Sequence, residues 1–436
     1  MRLSLVFPRM KYQSGDPPTG LALIASIVRN AGHEVSLIDA TFHQSIDYIN
    51  KKIDFFKPDY VCIYVDSLSY NDAVLIAKRA KKKRQKVIFG GPHATAKPET
   101  LLKFADFIVC GEADEAILEI IEGKYKKKII KPKRPDISKS PIPAYDLLEM
   151  EKYLRLWHIL DSVDPNLKGT SIMSSRGCPF KCSFCQPVLD NIFGKGVRSR
   201  TIDSVINEIE YLKKNYGVDG IFFHDDTFTV RRKWVMEFSK KLINKKIKLL
   251  WAINTRVDML DEELMKIMHR AGLRVMHLGI ETGSQRISDE IYNKGIDISK
   301  VPGTVKKAEK IGIHCMCFFM LGAPGETRKE IEQTINFAAK LDATEITATI
   351  SNPLPGTYLY EKTKNKYNVS KNYSDFDYYK NRAYDNPEIS VSELKWLQKK
   401  LLLKFYTNPK RWGYIAKHLL TPNGWKKMFL KIKRFM

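Results

Sequence analysis

Long apolar runs are missing from this 436-residue chain, and none approaches the roughly 18 residues a membrane-spanning helix needs. Secretion is not expected, because the apolar part of MRLSLVFPRM is short and no small-residue cleavage site follows it. Acidic residues are scarce beside basic ones, 49 against 73, which leaves a net charge of +24. Such an excess favours anionic partners, whether nucleic acid, a phospholipid surface or a phosphorylated substrate. Cysteine is sparse: seven thiols, an odd number without a leader, argue against a disulfide framework. No G-x-G-x-x-G follows the first strand-like run and no G-x-x-x-x-G-K-[ST] occurs, so the two common phosphate-binding signatures are excluded. What remains, with 44% hydrophobic and 28% charged residues, excludes wholesale disorder and suits two or three domains. A cytoplasmic location is expected.

The first 123 residues alternate short apolar runs with helical spacing. Strands are expected over 3–7, 34–39, 60–67, 86–91 and 107–111, and helices over 19–31, 43–55, 70–84, 97–104 and 114–122. Five such alternations predict a doubly wound parallel sheet with helices on both faces, binding ligands at the strands' carboxyl ends. The loops there carry Thr19-Gly20, Asp39, Ser67, Gly90-Gly91-Pro92-His93 and Gly111-Glu112. Bare glycine backbone admits close approach of a bulky ligand, although the same residues also serve ordinary turns. Residues 124–165, Lys- and Pro-rich at first, read as a linker with a solvated basic face.

Three of the seven cysteines then fall within eight residues, Cys178, Cys182 and Cys185, spaced C-x3-C-x2-C after a strand-like run at 170–175. Structural zinc needs four ligands, usually in two separated pairs, and no second C-x2-C or H-x3-H is present. Three thiolates on one loop can instead hold three irons of a [4Fe–4S] cube and leave the fourth open to a ligand. Strand-plus-loop units follow at 220–229, 249–258, 275–284, 314–327 and 345–357. Helical stretches at 202–215, 231–243, 261–271, 299–311 and 327–340 separate them. With the strand ahead of the cysteines, residues 166–360 predict six β/α repeats, a partial parallel barrel with its chemistry at the strands' carboxyl ends. Cys315 and Cys317 alternate on one strand and read as buried core thiols.

The cysteine motif resembles the signature of the radical S-adenosylmethionine (SAM) enzymes. The resemblance implies a [4Fe–4S] cluster on Cys178, Cys182 and Cys185, its open iron chelated by SAM. Electron transfer from a reductant such as flavodoxin or ferredoxin then cleaves SAM to a 5′-deoxyadenosyl radical. Phe184 matches the aromatic beside the adenine, and Asp225 and Asp226 stand where the SAM amino group is received, without the usual Gly-Gly-Glu. Arg256 and Glu281 match strand ends that meet the SAM carboxylate and ribose, and Gly322-Ala323-Pro324-Gly325-Glu326-Thr327 resembles the turn after the fifth strand. A structural ion pair is an equal reading for each polar residue alone. Thr327 reads mainly as a helix N-cap.

The preceding domain resembles the cobalamin-binding domain of one radical SAM subgroup, through residue 360 and including Pro143-Ala144-Tyr145-Asp146. The resemblance implies cobalamin held by Thr19, Gly20, Asp39, Ser67, Gly90, Gly91, His93, Gly111 and Glu112. The D-x-H-x-x-G loop of methionine-synthase-type domains is absent, so no histidine from that motif is expected on the lower face of the cobalt. The subgroup mostly methylates unactivated carbon, here implying a small or lipid-like substrate, and a minority performs cyclisation, ring contraction or other rearrangement, implying a lipid-like or tetrapyrrole one.

Residues 361–436 predict a basic, mainly helical segment. From 395 onward it holds twelve Lys or Arg and no acid, half the net excess. Trp425, Met428, Phe429, Ile432, Phe435 and Met436 share one helical face, which fits either a helix lying on an anionic membrane or a cover for the barrel's open side. Leu394, Leu397, Leu401 and Phe405 form a second stripe, read as core, and the Phe405-Tyr406-x-x-Pro409 run resembles an element of porphyrin-cyclase and hopanoid-modifying relatives. An RNA-modifying reading suits the charge but not the residues. The methylthiotransferases of the superfamily carry three more cluster cysteines in their first domain, whereas Cys62 and Cys110 alone stand there, so no nucleic-acid partner is expected. A non-enzymatic cluster protein leaves the SAM-type loops unexplained.

Overall fold

The structure is a computed structural model that describes residues 1–9 and 11–413 together with 416, 424 and 425. Its first sheet contains β1 (Arg2–Phe7), β2 (Glu34–Asp39), β3 (Tyr60–Tyr64), β4 (Lys86–Gly90), β5 (Phe107–Val109) and β6 (Ile129–Ile130), in the spatial order β2-β1-β3-β4-β5-β6. All five pairings are parallel. Alternation along each strand sends Leu3, Leu5, Cys62, Ile88 and Val109 to one face, under the helices Thr19–Asn30 and Ala116–Ile121. Val6, Val61, Ile63, Val87 and Phe89 go to the other face, under Ile46–Phe56 and Tyr70–Lys82. The doubly wound expectation is met, and the order reverses between β1 and β3, where a cleft opens.

Two details differ from the sequence pattern. A helix was expected over 97–104, but Lys97 takes φ −140° and Pro98 follows, so the helix ends at Ala96 and a 3-10 turn replaces it. Ile129–Ile130 joins the sheet edge from within the stretch read as linker, because pairing with β5 supplies what two isolated apolar residues cannot advertise.

The second sheet contains β7 (Gly169–Ile172), β10 (Gly220–Phe223), β11 (Leu250–Thr255), β12 (Leu273–Glu281), β13 (His314–Leu321) and β14 (Glu345–Ile350). They lie side by side in sequence order, all parallel, as the six-repeat partial barrel requires. A short antiparallel ribbon, β8 (Ser175–Arg176) with β9 (Arg198–Ser199), brackets the cysteine loop. Trp157 and Leu160 plug the barrel floor against Phe222, Ala252 and Val275. The plug requires glycine opposite it: a Cβ on Gly169 would meet the Trp157 ring at 2.1 Å.

The helix Val391–Tyr406 packs on β14 and on the helix Arg328–Lys340, burying Leu394, Leu397, Leu401 and Phe405, the stripe expected to be core. Cys315 and Cys317 are likewise fully buried in the barrel's outer core. The face expected over 425–436 lies, Trp425 apart, outside the described residues. Among the described residues no helix is long and apolar enough to cross a membrane.

Candidate active site at the barrel mouth and the interdomain cleft

The cysteine loop is pinned at its base from two sides. On the barrel side, Asp225 at the end of β10 accepts from the Ser174 amide at 2.8 Å, from the hydroxyls of Ser174 at 2.6 Å and Ser175 at 2.5 Å, and from Arg231 at 2.7 Å. On the other side Arg176 reaches the first domain, donating to Glu112 at 2.5 Å and to both oxygens of Asp114 at 2.9 Å. Glu112 also accepts from Arg198. Gly177, at φ +94°, turns the chain where a Cβ would sit 2.4 Å from the Gly196 carbonyl.

Beyond that turn the three thiols face one electrostatic neighbourhood. Cys178 Sγ lies 3.6 Å from Thr227 Oγ1, and Cys182 Sγ accepts from Arg256 Nη1 at 3.7 Å. Burial raises the Cys182 thiol against the opposing pull of Lys294 and Arg256. Burial also pushes Cys185 well up, with Cys182, Glu281 and Asp226 adding to the rise. No three thiol, imidazole or carboxylate groups among the described residues converge on the point a single metal ion would take. A [4Fe–4S] cube would take each thiolate on a different iron, so the three need not meet at one point.

Arg256 and Glu281 reach the mouth already engaged. Arg256 stacks over Phe180 at 3.9 Å, bonds Asp258 at 2.8 and 3.0 Å and donates to the Lys294 carbonyl at 2.8 Å. Glu281 pairs with Lys294 at 2.7 Å, and its backbone takes φ +71°, a left-handed conformation that costs a non-glycine residue on the order of 1–3 kcal/mol. The carboxylate folds back over Gly279, where a Cβ would lie 2.5 Å from it. Phe184 packs edge-on against Tyr292 at 5.3 Å and joins Ala323 and Met320 in one apolar cluster, which brings the Gly322–Pro324 turn beside it. Gly322, at φ +77°, and Ala323 donate their amides to Glu326 at 2.7 and 2.9 Å. Thr327 forms a capping box with Glu330.

Asp225 and Asp226, adjacent in sequence, separate in role. Asp225 is buried and spent on Ser174, Ser175 and Arg231. Asp226 faces solvent at the mouth but is crowded behind, and burial followed by the Asp225 charge raises its carboxyl to about 6. Asp226 is thus the member of the pair that a ligand can reach.

The interdomain cleft has a volume of about 320 Å³. Thr19, Gly20, Gly90, Gly91, Gly111 and Glu112 line it from the first domain, above the apolar floor of Leu5, Cys62, Ile88 and Val109. Met173, Arg176, Ile192 and Phe193 close it from the barrel side. Gly20 and Gly90 have nothing within 4 Å of where a Cβ would stand, so their bareness leaves open space rather than accommodating protein. Asp39, Ser67 and His93 do not line the cleft. Asp39 is held by the Thr41 amide and Tyr153, while His93 bonds Ser67 and Thr100 and is driven by burial to about 4, hence neutral.

Several residues here were not legible from sequence. Arg176, Asp114 and Lys294 act through partners 13 to 64 positions away. Asp16, from the loop after β1, reaches into the barrel beside Ser171. Burial would raise its carboxyl, yet His224, Ser171 and His158 hold it low. His277 lies beneath the mouth with a buried, unpartnered Nε2, and burial lowers it to about 4.

A cysteine loop at the strand ends of a six-strand barrel, joined through a shared wall to a glycine-lined cleft, defines a radical SAM enzyme with a cobalamin-type domain ahead of it. The comparisons agree: the Radical SAM superfamily matches residues 172–338 and the B12 binding domain matches residues 12–121. An "uncharacterized methyltransferase" of Pyrococcus horikoshii is 36% identical over 370 residues, covering 79% of this chain and 78% of that one. The anaerobic magnesium-protoporphyrin IX monomethyl ester cyclase of Rubrivivax gelatinosus is 29% identical over 409 residues, covering 85% and 71%. In fold, the radical S-adenosylmethionine methyltransferase TsrM from Kitasatospora setae, solved with cobalamin and a [4Fe–4S] cluster, superposes with a TM-score of 0.66 at 17% identity over 82% of this chain and 73% of that one. The chain belongs to the radical SAM family whose members carry an N-terminal B12 binding domain, and it is an enzyme.

Proposed function

We propose that this enzyme moves a methyl group from SAM, by way of cobalamin, onto an unactivated carbon of a small or lipid-like substrate. The observation that carries the proposal is the shared wall: Arg176 belongs both to the base of the cysteine loop and to the lining of the glycine cleft. When bound, the [4Fe–4S] cluster with SAM would supply the hydrogen-abstracting radical, and cobalamin would carry the methyl group. Cys178, Cys182 and Cys185 would hold the cluster, with Arg256 donating to the Cys182 sulfur and damping the charge of a thiolate. Phe184 and Met320 offer an apolar surface suited to the adenine, backed by buried Ala323, while Asp226 and the Glu281–Lys294 pair offer charge to the amino, carboxylate and ribose groups. Gly20 and Gly90 leave open space for a corrin, Gly91 and Gly111 line the same cleft, and no histidine lines it among the described residues. Tight closure of both domains on Arg176 would exclude water from the reacting atoms.

A second reading, cyclisation or rearrangement, is favoured by the cyclase relative. The Phe405-Tyr406-x-x-Pro409 run does not bear on the choice, because Phe405 is core and the Tyr406 hydroxyl bonds the Ile346 backbone. We also propose an electron-donor protein as partner, and contact of the basic C-terminal stretch with an anionic membrane. Anaerobic reconstitution should give about four irons per chain, as a cube requires, and Cys182→Ala should lose them. Product mass analysis with methyl-labelled SAM and candidate lipids or tetrapyrroles separates the readings. Label in the product supports methylation, and unlabelled ring closure supports the second. Iron retained by Cys182→Ala, with SAM still cleaved, refutes the site.

A further inference from the structure

Behind the cysteine loop the surface is strongly and unevenly charged. Lys131, Lys133 and Arg134 follow the edge strand β6, and Lys195 follows the helix Val188–Phe193. All four are exposed and none has a carboxylate partner among the described residues. Lys126 and Lys127 extend the same edge. The acids nearby are already committed: Asp190 pairs with Lys181, Glu112 with Arg176 and Arg198, and Asp136 caps the Ser138 amide. Lys131, Lys133 and Arg134 line a depression of about 300 Å³ together with Glu112, Asp190, Asn191, Ile192 and Gly194, and Lys195 is the next residue after that Gly194 wall.

The depression sits against the cysteine loop. The chain leaves Cys185 in helical turns, with the Leu189 amide bonding the Cys185 carbonyl, and the helix ends at Gly194, where the Arg134 guanidinium packs on its bare Cα. The helix itself, six residues at about 1.5 Å each, spans ~9 Å, and only the turn 185–187 separates it from the Cys185 thiol. Gly111, Glu112 and Ile192 line both this depression and the interdomain cleft, so a thin wall separates the patch from that cleft as well. Chance clustering of solvated lysines explains the charge but not its position, one helix away from the thiols.

We infer that this patch is the docking surface for an acidic one-electron carrier protein of the flavodoxin or ferredoxin class. The inference rests on the cluster reading above. In the docked pair the donor is oxidised by one electron and the cluster reduced by one, with no bond made or broken. Charge complementarity at a cationic rim accelerates encounter and orients it, by ~10–10³-fold at low salt, and the gain falls with ionic strength.

The test uses the reconstituted 436-residue chain and reduced flavodoxin, following cluster bleaching by stopped flow and flavodoxin affinity by titration. Lys131→Glu combined with Lys133→Glu and Lys195→Glu should slow flavodoxin-driven reduction at least tenfold and weaken binding to match. Photoreduction by neutral deazaflavin, which needs no docking site, should be unchanged. Arg134 is spared because it packs on Gly194. In the wild type the flavodoxin rate should fall steeply with added salt. A salt-independent rate, or a variant as fast as wild type, overturns the proposal even if the variant folds imperfectly. A variant that is reduced normally but no longer binds phosphatidylglycerol vesicles makes the patch a membrane surface and also overturns it. Wild-type protein that shows no bleachable cluster with deazaflavin instead refutes the underlying cluster reading, a distinct result.

Discussion

Removing the Arg176 guanidinium tests whether the two domains are held by a buried charge cluster. Arg176 is 8% exposed and makes three contacts of 2.5, 2.9 and 2.9 Å to Glu112 and Asp114, themselves nearly buried. Glu112 would keep Arg198 after the loss, whereas Asp114 has no other cation partner among the described residues. An uncompensated buried carboxylate typically costs about 3–5 kcal/mol, so Arg176→Met should destabilise the chain by about that much. Asp114→Asn alone should cost about 1–2 kcal/mol, because the guanidinium retains Glu112. The double variant should cost about 2–4 kcal/mol, clearly less than the sum, since it leaves no orphaned charge at position 114. Urea unfolding followed by tryptophan fluorescence gives each value, and hydrogen exchange across 174–178 and 111–115 shows whether the loosening is local. A cost below about 1 kcal/mol for Arg176→Met would mean water already compensates these carboxylates. Strict additivity in the double variant would refute the coupling.

Gly90→Leu adds a side chain into space that nothing in the protein fills, so it should fold normally yet lose cobalamin on equilibrium dialysis; unchanged binding would place the cofactor elsewhere. Gly169→Ala drives a Cβ to 2.1 Å from the Trp157 ring and should cost at least ~1–3 kcal/mol by overpacking, with Trp157→Leu in the same chain recovering part. Glu330, held by Arg286 and its capping contacts, has its carboxyl lowered from 4.5 to about 2, so its ionised form stabilises the fold fully above pH 4.5 and progressively less as pH falls toward 2. With Arg286 itself 40% exposed, solvent screening trims the effect: Glu330→Gln should cost about 1–2 kcal/mol at pH 7, with the gap to wild type closing in acid unfolding curves. Glu326 behaves oppositely, because burial raises its carboxyl to about 8. Glu326→Gln, which can still accept the two amides, should equal or exceed wild-type stability at pH 8, and a large loss there would show the carboxylate to be ionised and paired.

The fold was largely legible because both domains announce themselves through local periodicity: buried strands of three to nine residues alternating with amphipathic helices. The candidate site was legible in its placement where residues are local: Cys178, Cys182, Cys185 and Phe184 share one loop, and Gly20, Gly90, Gly91 and Gly111 line one cleft. Residues whose position depends on distant partners were not. Nothing local to Asp225 says that Ser174, Ser175 and Arg231 will consume it, nor to Asp39 that Tyr153, 114 positions away, will. Lys294 follows a loop without periodicity and gains meaning only when β12 delivers Glu281 to it. The Lys-rich run at 124–134 was read as solvated because charge alone carries no address; the contact of Arg134 with Gly194 supplies one.

Arg176 then carries the step from fold to function. A loop bearing three thiols needs only a strand end to present it, and the Asp225 contacts already provide that. A second anchor onto Glu112 and Asp114, at the strand ends of the other domain, adds little to presentation. It does fix how far the thiols stand from the glycine cleft. Two centres acting independently would tolerate a loose hinge, of the kind polar interdomain surfaces normally allow. Here the residue preceding the Gly177 turn is bonded, under near-complete burial, to the lip of the cleft, so displacement of one site drags the other. That coupling is required when one substrate must face both sites in a single geometry, since misplacement by an ångström costs orders of magnitude in rate. The expense of burying a guanidinium with two carboxylates is explained by that requirement and by nothing in the stability of either domain alone.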